Sequence, residues 1–123
     1  MHKTKDEFLK AVLQIVNDGI TKGNIHPDQI ATQLSLSPMT FRRRMKAVTD
    51  MTPAKIILYV RLQKAINMLK DYPFISITEV ANRCGFADNS HFTKVFKRFM
   101  NVTPVQYVKN PSAYKMRNLK INS

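Results

Sequence analysis

Acidic residues are scarce in this chain: 8 Asp and Glu stand against 20 Lys and Arg, and none follows Asp88. The formal net charge of +12 and the pI near 10.2 point to a polyanionic partner. Cysteine is nearly absent. A lone Cys84 cannot close an internal disulfide and lacks the companions of a zinc site, so redox chemistry, a metal and a cofactor are not expected. No apolar run approaches the roughly 20 residues of a membrane span, so a membrane partner is not expected either. With only 3 Gly and 6 Pro and 44% hydrophobic residues, the composition is that of a folded chain. The start, Met1-His2-Lys3-Thr4-Lys5-Asp6, carries charge with no apolar stretch behind it. A secretory signal is therefore not expected, and the expected compartment is the cytoplasm.

What the chain does have is one stretch written twice. Ile30-Ala31-Thr32-Gln33-Leu34, Phe41-Arg42-Arg43-Arg44-Met45 and Thr52-Pro53 return as Val80-Ala81-Asn82-Arg83-Cys84, Phe92-Thr93-Lys94-Val95-Phe96 and Thr103-Pro104. Ala31 and Ala81 are 50 positions apart, whereas Phe41 and Phe92, like Pro53 and Pro104, are 51 apart. One residue has been inserted between the two motifs, and a loop absorbs an insertion that a helix interior would not.

The periodicity is helical throughout. Phe8, Leu9, Val12, Leu13, Ile15 and Val16 share one stripe, with Gly19 read as the stop. Pro27 and Asp28 open a short second helix, and Ser37-Pro38 starts a third that reaches about Val48. Thr52-Pro53 starts the longest periodic segment, through Ile56, Ile57, Val60, Leu62, Ala65, Ile66 and Leu69 to Asp71, which Pro73 ends. Ser76 or Thr78 opens a helix holding Val80, Ala81 and Cys84; Asp88 or Asn89 caps one through Phe92, Phe96 and Phe99; Thr103-Pro104 starts the last. The expected fold is all-α, about seven helices, with two helix-turn-helix units joined by a long central linker helix. The expected organisation is one domain over 1–123. Residues 6–55 form the first unit with its preceding helix, 54–71 the linker, 76–108 the second unit and 109–123 a loose basic tail.

In each repeat a short helix with a central Ala precedes a tight turn and a second helix, apolar on one face and cationic on the other. This is the helix-turn-helix order, with the small Ala where two helices cross closely. The turn residue is Gly85 in the second unit but Ser35 in the first, where a left-handed conformation costs on the order of 1 kcal/mol. With Phe41, Met45 and Val48 buried at 100° per residue, Met39, Arg42, Arg43 and Lys46 face outward. With Phe92, Phe96 and Phe99 buried, the outward set is Ser90, Thr93, Lys94 and Lys97, flanked by Asn89 and His91. Residues in the first turns of such a helix read base edges: arginine pairs with guanine, asparagine with adenine, and threonine touches a thymine methyl. The expected base readers are Met39, Arg42, Arg43, Asn89, Ser90, Thr93 and Lys94. Thr40, Lys46, His91, Lys97 and Arg98 are expected on phosphates. The linker from Ala54 to Lys70, 17 residues or roughly 25 Å of helix, can hold two readers about one duplex turn apart.

Plainer readings compete. Phe41, Met45, Phe92, Phe96 and Phe99 are core. Arg42-Arg43-Arg44 alone is a solvated charged face, and only the repeat turns it into a reader; Arg44 points to the core edge. Cys84 and His91 are spaced seven apart like a nucleophile pair, but Cys84 lies on the buried stripe with no orienting third group, so no enzyme is expected. The alternative to sequence-specific binding of double-stranded DNA is nonspecific DNA or RNA binding, for which the charge alone suffices.

Ile77-Thr78-Glu79-Val80-Ala81, Cys84-Gly85-Phe86, Ser90-His91-Phe92-Thr93-Lys94-Val95-Phe96-Lys97 and Val102-Thr103-Pro104-Val105-Gln106-Tyr107 together resemble the signature of the AraC/XylS family of bacterial transcription regulators. Arg61-Leu62 with Ala65 and Leu69 matches the family's linker, and Leu36-Ser37-Pro38 the start of its first reader. The match covers nearly all of residues 6–108. Ser35, where the family often has Gly, and Ile56, where Tyr is common, depart from it. The resemblance implies a C-terminal DNA-binding domain that activates or represses transcription at promoters, with RNA polymerase as a further partner. Most members carry a separate sensing domain, and only 29 residues precede Ile30, where the first repeat begins. Either the chain is a small stand-alone regulator or, the expected case, it is the output end of a longer chain. The Asp6-to-Asn17 helix resembles that of output domains of two-component response regulators, the hybrid type included, which implies a sensing or receiver domain outside this chain.

Overall fold

A computed structural model describes residues 4–23 and 25–115. Among these residues the chain is all-helical, with seven α-helices and one turn of 3-10 helix at Pro111–Ala113. It divides into two compact units at Val60/Arg61.

The first unit holds α1 (Lys5–Lys22), α2 (Pro27–Gln33), α3 (Pro38–Thr49) and the first part of α4 (Pro53–Asp71). The Thr4 hydroxyl caps α1 by accepting from the Glu7 N–H, and Phe8, Leu9, Val12, Val16 and Ile20 form its buried face. Leu13 and Ile15, expected on that face, lie at its half-buried margins. Gly19 does not stop the helix. It lies inside α1, where a Cβ would come within 2.5 Å of Ile25 Cδ1, so its missing side chain makes room for the returning chain. The stop is Gly23, with φ 137°. α2 is capped by His26, whose Nδ1 accepts from the Asp28 N–H while the Gln29 side chain accepts from the His26 N–H, a reciprocal capping box. Ile30, Ala31, Phe41 and Met45 are at most 1% exposed, and the Phe8 and Phe41 rings meet edge to face at 6.3 Å.

In α4 the buried residues Ile56, Ile57, Tyr59 and Val60 fall in the first unit and Leu62, Ala65, Ile66 and Leu69 in the second. In the second half the buried residues share one side of the helix, with Gln63, Asn67 and Lys70 exposed on the other. The second unit adds α5 (Ile77–Arg83), α6 (Asn89–Met100) and α7 (Pro104–Lys109). Ser76, Asp88 and Thr103 cap these helices, accepting from the N–H groups of Glu79, His91 and Gln106. An aromatic row runs through this core: Phe86 to Phe92 at 5.0 Å, Phe92 to Phe96 at 5.7 Å, Phe96 to Tyr107 at 5.6 Å. Phe99, expected in the stripe, is only half-buried. Val95 and Met100 are buried beside Phe92 and Phe96. The expected loose tail includes Lys109, which ends α7, and the 3-10 turn; its residues 116–123 lie outside the described residues.

Candidate nucleic-acid interface

The turns that aim α3 and α6 are built alike, hydrogen bond by hydrogen bond. After α2 the Leu36 N–H donates to the Ala31 carbonyl at 2.9 Å and the Ser35 N–H to Thr32 at 3.0 Å. After α5 the Phe86 N–H donates to Ala81 at 3.0 Å and the Gly85 N–H to Asn82 at 3.2 Å. These are paired Schellman turns, each hinged on a left-handed residue: Ser35 at φ 58° and Gly85 at φ 83°. Both helices also end on a left-handed cap, Asp50 at φ 61° and Asn101 at φ 62°. Turn residues lie 50 apart and N-caps, Ser37 and Asp88, lie 51 apart, so Ala87 is the inserted residue.

In the first unit, Met39 is 77% exposed, and Arg42, Arg43 and Lys46 are exposed. Thr40 is half-buried and belongs to the cap: its N–H donates to Ser37 Oγ and its Oγ1 accepts from the Ser37 hydroxyl at 2.9 Å. The Lys46 ammonium donates to the Asp50 carbonyl at 3.2 Å, holding one cation at the helix's negative end. Arg44 turns inward, its guanidinium carbon 4.4 Å from the centroid of the Phe8 ring.

In the second unit Asn89, Ser90, His91, Lys94, Lys97 and Arg98 are exposed, while Thr93, expected to face outward, is half-buried. Thr93 lies seven residues before buried Met100, about 20° from it around the helix, at the margin of the core. The His91 side chain does not cap α6. Its backbone N–H donates to Asp88 Oδ1 at 2.7 Å, and its ring stands at 65° to Phe86, 5.6 Å away. Asn89 carries a bond that no spacing rule foretells: its Nδ2 donates to Thr78 Oγ1 at 2.7 Å, from the first residue of α6 to the second of α5. Thr78 sits 11 positions away, and only the crossing of the two helices brings it near.

Little else offers chemistry. Cys84 is 1% exposed with Sγ 3.7 Å from Met68 Sδ, and burial pushes its thiol above the ordinary 9.0 although Lys64 and Arg61 pull the other way. Such a thiol is a poor nucleophile. Burial lowers the pKa of Arg61, whose side chain lies along the Gly85 turn. No group of three or more metal-ligating residues occurs among the described residues, nor any helix long and apolar enough to cross a membrane.

A helix-turn-helix domain profile matches residues 30–110, about two thirds of the chain and both turns. The chain belongs to the AraC-type helix-turn-helix family. It is similar to the HTH-type transcriptional activator RhaS of Escherichia coli, 40% identical over 77 residues. The match covers 63% of this chain, which thus spans about a quarter (27%) of the length of that relative. Its fold is that of an AraC-type DNA-binding domain protein from Chromobacterium violaceum, with TM-score 0.74 and 24% identity, covering 84% of this chain and 93% of that one. The C-terminal domain of AraT, a response regulator from Geobacillus stearothermophilus, gives TM-score 0.72 at 23% identity over 89% of this chain and 87% of its own. The DNA-binding domain of AdpA, a global transcriptional factor solved with a target DNA, gives 0.69 at 24% identity, covering 89% and 93%.

Proposed function

We propose that this AraC-type chain is the DNA-binding module of a transcription regulator, and that it reads an asymmetric double-stranded promoter site with α3 and α6 in successive major-groove segments. The observation that carries this is the doubled turn. Each copy delivers a helix with a capped N-terminus, an apolar inner face and exposed polar or cationic residues in its first turns. That RhaS is an activator and that AdpA was solved on DNA support the same reading.

In this proposal Met39, Arg42 and Arg43 read bases for the first unit and Asn89, Ser90, Thr93 and Lys94 for the second. Thr40, Lys46, His91, Lys97 and Arg98 contact phosphates or sugars. α4, 19 residues or roughly 28 Å long, tethers two weak grips so that the second contact forms at high effective concentration. RNA polymerase as a partner, a sensing or receiver domain acting on this module and a cytoplasmic site of action belong to the same proposal.

The charge of +12 favours a second reading, nonspecific binding of DNA or RNA. Competition titrations at fixed salt against a random-sequence DNA pool separate the two. Enrichment of one site is the expected result, and no preference for any sequence overturns the proposal.

A further inference from the structure

The bond between Asn89 and Thr78 fixes something the helical wheel leaves open, which is where the Asn89 amide is held. A side-chain amide has a carbonyl acceptor on one side and two N–H donors on the other. Here Nδ2 is engaged, donating to Thr78 Oγ1 at 2.7 Å. One N–H and the Oδ1 acceptor remain, and Oδ1 makes no other hydrogen bond among the described residues. Adenine offers the complement of that pair, a donor at N6 and an acceptor at N7. Guanine offers two acceptors and would need two donors.

We infer that the second reader is specific for adenine at the position Asn89 meets, and that Thr78 on α5 is the positioning residue that holds the amide in place for that contact. The inference rests on the reading of α6 as a base-contacting helix. It belongs to the second unit alone, because Pro38 stands 51 positions before Asn89 and Asp28 stands 50 before Thr78, and neither can repeat the pair. Asn89 is the first residue of α6, capped by Asp88, so its backbone is fixed and the remaining freedom lies in its own torsions. The threonine hydroxyl holds those in advance of binding, the preorganisation that a polar contact to a base edge requires.

The test is site selection from a random DNA pool at fixed salt, with the chain and three variants, each shown by thermal melting to be folded. The chain itself is expected to select adenine at one position of the second half-site by roughly 5- to 150-fold. Asn89→Ala is expected to level that position and leave the others. Thr78→Val, which keeps the branched shape and removes the hydroxyl, is expected to cut the adenine preference by roughly 2- to 10-fold. Thr78→Ser is expected to restore it. Selection of guanine by the unaltered chain, or a Thr78→Val profile identical to it, overturns the inference while leaving a sequence-specific binder. A chain with no preference at any position fails at the earlier level, and the inference falls with it.

Discussion

In the first unit Ser35 takes the left-handed turn, a neutral Ser37 caps the reader, and α3 carries four cations, Arg42, Arg43, Arg44 and Lys46. In the second, Gly85 takes the turn, an anionic Asp88 caps the reader, and α6 carries three cations, Lys94, Lys97 and Arg98, after an Asn89-Ser90-His91 start. Backbone geometry is shared: the same Schellman bonds and the same left-handed C-caps recur. The side chains presented in the first two turns are not shared. A carboxylate at the second cap suits the positive end of the helix dipole but repels phosphates, so in the proposed mode of binding the second unit relies less on charge and more on hydrogen bonding. The duplicated scaffold carries two different messages.

The largest expected effects test whether the scaffolds are equivalent. Phe41→Ala and Phe92→Ala each empty a fully buried site and should each cost about 3–5 kcal/mol in urea unfolding. A much smaller loss in one would show that the two cores do not carry equal weight. Binding comes next. Arg43→Ala should erode one base position by roughly 1–3 kcal/mol, whereas Lys97→Ala should weaken all sequences alike and lower the salt slope by about one. Equal behaviour of the two variants would erase the distinction between base and phosphate contacts.

The turns come third, with opposite signs. Gly85→Ala forces a side chain into the left-handed region 3.4 Å from Arg61 Nε and should cost about 1 kcal/mol or more. Ser35→Gly relieves the same strain in the first unit and should gain up to about 1 kcal/mol, reduced by the added freedom of the unfolded chain. Smallest is Tyr107→Phe. The Tyr107 hydroxyl is buried without a hydrogen-bond partner among the described residues, and burial raises its pKa above the ordinary 10.0. The unfolded chain therefore releases this proton first, so stability is intact below about pH 10 and falls as pH rises beyond it. Tyr107→Phe should leave stability at pH 7 unchanged or raise it by up to about 1 kcal/mol, and should lessen the alkaline fall. Chemical unfolding at pH 7 and above pH 10 measures both.

Three of the seven helix starts, Ser37-Pro38, Thr52-Pro53 and Thr103-Pro104, were legible because proline after serine or threonine has one meaning at a helix N-terminus. The repeat made the turns legible as well. Three features were not. Gly19 reads as a stop but makes room for Ile25, a contact made by a residue beyond the helix end. His26 caps α2 although histidine carries no strong capping signal. The Asn89 to Thr78 bond depends on how two helices cross, which local pattern does not encode. The outward residues follow from periodicity alone, except Thr93, which is half-buried at the core margin.

The central claim is that one chain reads two unlike half-sites. Site selection with the unaltered chain tests it most directly, by aligning the enriched sequences around their centre. The expected result is two blocks of different sequence about one helical turn apart, in a fixed order, the first losing definition with Arg43→Ala and the second with Asn89→Ala. A palindromic site, a single block unaffected by either variant, or no enriched site would contradict it.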